Sequence, residues 1–183
     1  ESLAAKKQFA AVMDFCLVEV TNHENGSAVS AGPGRLESAG LAGVPQIVAP
    51  GGVTLMDFQT WAPPLEKLGG RTVHTHNRLI ACAQLTTAEK VRAARVVAEK
   101  LAISTGPCAF IMPLKGIDEW DKEGGPFRDE EGLGEFASTI KSLVKPPIEL
   151  HEIDAHINDE MFADTALAIF DRWLAEGLIS ATV

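Results

Sequence analysis

Apolar positions along the chain change period several times, and each change marks an element boundary. Leu3 to Met13 (LAAKKQFAAVM) carries apolar residues at helical spacing, and Phe15 to Val20 (FCLVEV) then reads as a strand closed by the polar TNHENGS. SAVSAGPG runs from a short apolar segment into a Gly/Pro turn. RLESAGLAG next predicts a short helix stopped at Gly43, followed by the strand PQIVAP. GGVTLMDFQTWAPP reads as a long irregular stretch, and RTVHTHN alternates like a strand. Thr86 with Glu89 forms a capping box, after which Val91, Ala94, Ala98 and Leu101 repeat along one helix face. CAFIMPL, Cys108 to Leu114, is a continuous apolar run of the kind a strand covered on both faces shows. EFASTIKSLV predicts another helix, PIELHEID a last strand, and DEMFADTALAIFDRWLAEG a terminal helix stopped at Gly177.

Strands near residues 15–20, 27–31, 46–49, 71–75, 108–113 and 148–154, with helices between them, imply an α/β fold. The expected form is a doubly wound, mainly parallel sheet with helices on both faces, a Rossmann-like three-layer arrangement. The segment KEGGPFRDEEGLG reads as the mobile loop of this design. Composition narrows the function classes. A length of 183 residues suits one domain or one large half of a two-domain protein. A net charge of −9 without a Lys/Arg cluster argues against a nucleic-acid groove or an anionic membrane surface, and no apolar run approaches a membrane span. Cys16, Cys82 and Cys108 are an odd, widely spaced set, which predicts reduced thiols and a cytoplasmic setting. No signal-peptide pattern stands at the start, where the first residue is Glu1 and not Met.

In a parallel α/β fold ligands bind beyond the carboxyl ends of the strands, so the residues following each strand are the informative ones. Ser30 to Glu37 (SAGPGRLE) offers a glycine turn at Gly32 and a guanidinium at Arg35, suited to phosphate or carboxylate. The same residues also read as a tight βα turn with a surface arginine. In HTHN, His74 and His76 share a strand face and Asn77 follows, as metal ligands, as donors to an anion, or as packing residues. DAHIND places Asp154 and His156 on one side, with Asn158 or Asp159 free to cap the next helix; a ligand contact and an internal hydrogen-bond network are both consistent with it. In GGPFRDEE, Arg128 and Asp129 stand on a loop that either closes over a site or is solvated. There is no G-x-S-x-G, no H-E-x-x-H and no cysteine motif.

At these residues the chain resembles the C-terminal domain of an ATP-binding family. That family includes the N-terminal half of the tomato mosaic virus resistance protein and many uncharacterised bacterial proteins. The resemblance is carried by Asp14 and Glu19, SAGPGRLE, GVPQIV, His76-Asn77, GGPF at Gly124 to Phe127, and DAHINDEMFA, in family order across nearly the whole chain. Departures are Phe15, Cys16, Leu17 and Val18 where the family has threonines, VTLMDF for leu-asp-met-val-asn-phe, and ACAQLT without the family's arginine. The resemblance implies that residues 1–183 are one α/β domain, the C-terminal domain of a two-domain protein. This domain would lack its own first βα element and be preceded by an upstream N-terminal domain. An open sheet edge would then favour a homo-oligomer.

Two function classes follow from the sequence. One is a nucleotide-binding or anionic small-molecule-binding domain, part of an ATP-dependent or hydrolytic enzyme. In it Gly32, Arg35, Asn77, Asp154 and Asn158 hold the ligand and His76, His156 and Asp159 supply acid/base chemistry, with ATP and a divalent metal as candidate cofactors. The other is a non-catalytic regulatory or protein-interaction module. The first class demands that these residues gather in one anion-accepting cleft.

Overall fold

A computed structural model describes residues 2–179. In chain order the elements are α1 (Ser2–Ala5), β1 (Val12–Cys16), α2 (Val18–Glu24), α3 (Ser38–Leu41), β2 (Gln46–Gly51), β3 (Leu55–Gln59) and α4 (Leu65–Leu68). Then come β4 (Val73–Thr75), β5 (Ile80–Gln84), α5 (Thr87–Ala102), β6 (Cys108–Pro113), α6 (Glu130–Leu143), β7 (Glu149–Ile153) and α7 (Glu160–Ala175). Four strands form a parallel sheet in the order β1-β2-β6-β7, and β3, β5 and β4 form a separate antiparallel sheet.

The alternation of side chains on β2 and β6 sorts the core into two layers. Val48, Phe110 and Met112 pack against α5 and α6 through Ala94, Val97, Leu133, Phe136 and Ile140. Ile47, Ala49, Ala109 and Ile111 point the other way, onto Phe162, Ala166, Ile169 and Trp173 of α7. Helices thus cover both faces of the parallel sheet, as the alternating sequence pattern implies. The strand order follows the chain order without reversal, and α7, after the last strand, supplies the second cover.

The described structure departs from the sequence expectations at the N-terminal third. The helix expected over Leu3 to Met13 stops at Ala5, because Lys7 takes a left-handed φ of 54° that a helix cannot continue through. The first strand begins earlier than expected, its ladder opened by Val12 N–H donating to the Pro45 carbonyl at 2.8 Å. Residues 18–24 are helical even though Val18 and Val20 favour strands. Thr21 Oγ donates to the Leu55 carbonyl at 3.0 Å and buried Asn22 pairs with Asp57, so tertiary anchors override the local preference. No strand forms at 27–31. The strand expected at 71–75 exists as β4, but it belongs to the antiparallel sheet.

The stretch read as irregular after Gly52 contains β3. Its Met56 and Phe58 turn into a small core with Ala81, Ala83 and Leu85, while Leu55 faces Cys82 and Phe127 on the opposite side. The GGPF loop is packed down there: Phe127 is 1% exposed, Gln84 Nε2 donates to its carbonyl at 2.6 Å, and Arg128 Nη1 donates to the Lys115 carbonyl at 2.8 Å. All three cysteines are free thiols, Cys16 exposed and the other two buried. Among the described residues, no helix is long and apolar enough to cross a membrane.

Candidate functional site

A cleft of about 500 Å³ lies between the carboxyl ends of the parallel strands and one face of the antiparallel sheet. Phe15 and Cys16 reach it from β1, Gly51 from β2 and Gly52 just after it, Asp118 and Trp120 from the loop after β6, and Asn158 from the loop after β7. Asp57 and His76 close it from the small sheet. Gly51 is required by a close approach: a Cβ there would lie 2.1 Å from the Phe15 carbonyl oxygen, so only hydrogen lets β1 and β2 pair at the cleft floor.

The loop bearing Asp118 and Trp120 is held by two carboxylates three residues apart. Asp118 Oδ1 accepts from the amides of Trp120 (2.8 Å) and Asp121 (3.1 Å), and its Oδ2 accepts from Thr54 Oγ at 2.8 Å. Asp121 answers with Oδ2 accepting from the Ile117 amide (2.7 Å) and Oδ1 from the Asp118 amide (3.1 Å). Burial, with Asp121 close by, pushes the Asp118 carboxyl above the usual carboxylate range.

His156 fastens this loop from behind. Its Nδ1 accepts from the Asn158 amide at 3.1 Å, which leaves the proton on Nε2. Nε2–H then donates toward the Asp118 carbonyl (2.9 Å) and Asp121 Oδ1 (3.1 Å). The ring is buried, and it acts through the loop it positions.

The small sheet brings a second set of groups together. Asp57 and Cys82 stand directly opposite each other on β3 and β5, and His76 follows β4. One ligand-capable atom from each of Asp57, His76 and Cys82 lies within 4.8 Å of the others, and His76 Nε2 is 3.6 Å from Asp57 Oδ1. Asn22 holds the other carboxylate oxygen, donating from Nδ2 to Asp57 Oδ2 at 3.1 Å and accepting the Asp57 amide at 2.7 Å. Trp120 lies with its ring centroid 4.7 Å from those of both His74 and His76. Burial, with Asp57 and Asp118 nearby, pushes the Cys82 thiol up to about 12.

The residues singled out from the sequence are distributed over several places. His76 and Asn158 line the cleft. Arg35 lines an adjoining hollow that shares Phe15, Cys16, Val18 and Asp57 with it. There its guanidinium makes a two-pronged pair with Asp14, a 2.7 Å contact from Nε to Glu19 Oε2 and a 3.0 Å bond to the Cys16 carbonyl. Those carboxylates, Asp14 foremost, raise its affinity for its proton further. Its charge is met within the chain, so an incoming anion would compete with two carboxylates. Gly32 has φ 85° in the preceding turn, its amide donating to Ser30 Oγ at 3.0 Å.

Asn77 shapes the hairpin between β4 and β5: its Oδ1 accepts from the Leu79 and Ile80 amides at 2.7 and 3.0 Å. Asp154 is an exposed partner of Lys115. Asp159 stands at the start of α7, where its Oδ2 accepts from the His156 amide at 2.8 Å. His156 and Asp159 border a different hollow with Lys115, Lys122, Arg128 and Glu130. Five of these residues thus border three hollows and not the single anion-accepting cleft expected from the sequence, while Asn77 lies in the β4–β5 hairpin and Asp154 on the surface.

Sequence reasoning passed over Asp57, Asp118, Trp120 and Asp121. A pattern was present in GIDEWD: a glycine after an apolar strand, then two aspartates at i and i+3, each able to cap the other's amides. Asp57 was hidden in a stretch without a visible strand partner.

Over 179 residues the chain is 48% identical to a UPF0261 protein of Brucella melitensis, covering 98% of this chain and 43% of that protein. A UPF0261 protein of Clostridium tetani is 32% identical over 164 residues, 89% of this chain and 41% of that one. A third, from Mesorhizobium japonicum, is 30% identical over 176 residues, 93% of this chain and 44% of the other. The chain thus spans less than half the length of these relatives. These matches show an uncharacterised bacterial family; the kinship with the tomato mosaic virus resistance protein and the ATP binding it implies rest on the sequence resemblance alone. Residues 1–174 match the C-terminal domain of the uncharacterised protein family UPF0261, and the chain belongs to that family.

Proposed function

We propose that this domain binds a small polar ligand, a nucleotide or another anionic metabolite, in the cleft at the strand ends, as part of a hydrolytic enzyme. The observation that supports the reading is the convergence on one cleft of residues following all four parallel strands, with Trp120 and Phe15 as apolar surface and Asp57, Asp118 and His76 as polar groups. The electrostatics refine it. Among the described residues the lining carries Asp57, Asp118 and Glu119 and no lysine or arginine, so an anion entering this cleft needs a divalent cation to bridge it to the carboxylates. Asp118, whose carboxyl burial lifts above the usual range, borders the cleft while its bonds to Thr54 and to the Trp120 and Asp121 amides fix the loop that presents Trp120.

Calorimetric titration of the intact protein with ATP, other nucleotides and sugar acids, with and without Mg²⁺, tests this. Binding is expected to require the cation, to quench Trp120 fluorescence and to fall at least tenfold in Asp118→Asn. Failure of every ligand, or binding indifferent to both cation and Asp118, overturns the reading.

A second reading, an interaction module, draws on the outer face of α7. Met161, Leu167 and Leu174 are exposed there, and Leu178 follows them. In this reading that face docks on the remainder of the longer protein or on another copy of this chain.

A further inference from the structure

We infer that Asp57, His76 and Cys82 form a transition-metal site of the zinc class, with one coordination position open to the cleft. The inference rests on the cleft reading only for what fills that open position.

The geometry of the three groups argues for an ion between them. At 3.6 Å, His76 Nε2 and Asp57 Oδ1 are too far apart for a good hydrogen bond. That separation is close to the roughly 3.3 Å that two ligands about 2.0–2.1 Å from a tetrahedral ion would have. One donor atom each of Asp57, His76 and Cys82 lies within 4.8 Å of the others, so a shift of roughly an ångström brings the sulfur to the ~3.5 Å that thiolate and imidazole ligands of one tetrahedral ion keep. Rigid neighbours hold the set. Asp57 and Cys82 are register partners in a paired ladder, and Trp120 packs against the His76 ring.

Outer contacts point the donor atoms inward, as metal sites require. Asn22, itself fully buried, engages Asp57 Oδ2 and the Asp57 amide, which leaves Oδ1 as the ligand atom facing His76. His74 faces the same cluster from β4, opposite Cys82, with its ring 5.3 Å from that of His76.

Donor chemistry selects the ion. One thiolate, one imidazole and one carboxylate suit Zn²⁺ or Co²⁺, whereas Mg²⁺ and Ca²⁺ prefer all-oxygen sites. On binding, the Cys82 thiol gives its proton to solvent as the metal–sulfur bond forms, and one carboxylate and one thiolate then balance the dication. Three protein ligands leave the fourth position for water or for an oxygen of an anionic ligand, the pattern of a site that does chemistry and not of a closed structural one.

Co²⁺ titration of the metal-free intact protein provides the test, read by visible absorption and by equilibrium dialysis. The expected result is one Co²⁺ per chain, with the strong visible bands of tetrahedral cobalt and a near-ultraviolet thiolate-to-metal band, all abolished by Zn²⁺. Cys82→Ser removes the thiolate band. His76→Ala, whose side chain is partly exposed and whose removal threatens the fold least, weakens Co²⁺ binding by more than tenfold, and Asn22→Ala by about 10–100-fold. Absence of the thiolate band in the parent protein overturns the inference. So does a band that survives in Cys82→Ser and disappears in Cys16→Ser, since Cys16 borders the same cleft. Small-ligand binding without a cobalt site removes this inference and leaves the cleft reading standing; a cobalt site without small-ligand binding does the reverse.

Discussion

A methyl group at position 116 would sit 2.4 Å from His156 Cδ2 and 2.5 Å from Asp121 Oδ1, on a backbone with φ 140° that only glycine adopts readily. Gly116→Ala is therefore expected to destabilise the chain by about 2–4 kcal/mol through strain and overpacking. Urea unfolding measures this, and a loss below about 0.5 kcal/mol would mean that the loop shifts at little cost. His156→Ala should cost about 1–3 kcal/mol by stranding the Asp118 carbonyl and the Asp121 carboxylate. Because the imidazole is also what the new methyl would strike, the two substitutions should combine to less than their sum by at least about 0.5 kcal/mol. These residues show how far sequence goes at this scale. DAHIND could be recognised as a polar strand end with a helix start. The burial of His156 could not, since its partners lie 35 and 38 residues upstream in a loop whose aspartates look like ordinary surface charge.

Between elements, α5 and α6 are joined by Lys90, whose side chain is 1% exposed and whose Nζ lies 2.5 Å from Asp129 Oδ2. Asp129 also caps α6 by accepting the Gly132 amide at 2.9 Å. The two halves of this pair are not equivalent. Asp129→Ala strands a buried ammonium and is expected to cost about 3–5 kcal/mol, whereas Lys90→Met leaves a carboxylate that can rehydrate and should cost far less. Equal losses in thermal or urea unfolding would contradict the argument.

The pH dependence has the same origin. Burial alone would raise the Asp129, Glu89 and Glu149 carboxyls, but hydrogen bonds from Lys90, from Arg71 and from Trp173 and Arg172 respectively leave all three below their ordinary values. A carboxylate depressed in the folded state contributes stability that is present above its unfolded pKa and is lost as pH falls through the folded one. Melting temperature should thus hold down to about pH 4 and fall below it, and Lys90→Met should flatten that fall. At this scale the sequence was legible where capping and burial are local. The Thr86–Glu89 box is formed reciprocally, Gly177 ends α7 with φ 73°, and all six residues of β6 are buried. The small sheet was not legible, because β3 and β5 pair across a gap with two helix-breaking prolines, Pro63 and Pro64, and no turn of standard hairpin length.

Across the whole molecule, two sheets of unequal strength share one cleft. β2 and β6 are buried at every residue and sit in the middle of the parallel sheet between two helical layers. β4 has three residues, lies at the edge of the antiparallel sheet, and leaves Val73 43% exposed. Opening β2 or β6 means dissolving the main core, while opening β4 releases little apolar surface. Amides of β2 and β6 should therefore exchange with deuterium only through global unfolding, and those of Val73 to Thr75 much faster, through local opening. The inferred metal joins His76 at the end of β4 to Asp57 on β3 and Cys82 on β5, so local opening of β4 would have to release a ligand from the ion. Saturating Zn²⁺ should then slow exchange across Val73 to Thr75, and His76→Ala should abolish that slowing while leaving β2 and β6 as the slowest strands. β4 amides protected as well as those of β2 in the metal-free chain would contradict this account of the molecule, because the cleft would then have no yielding wall.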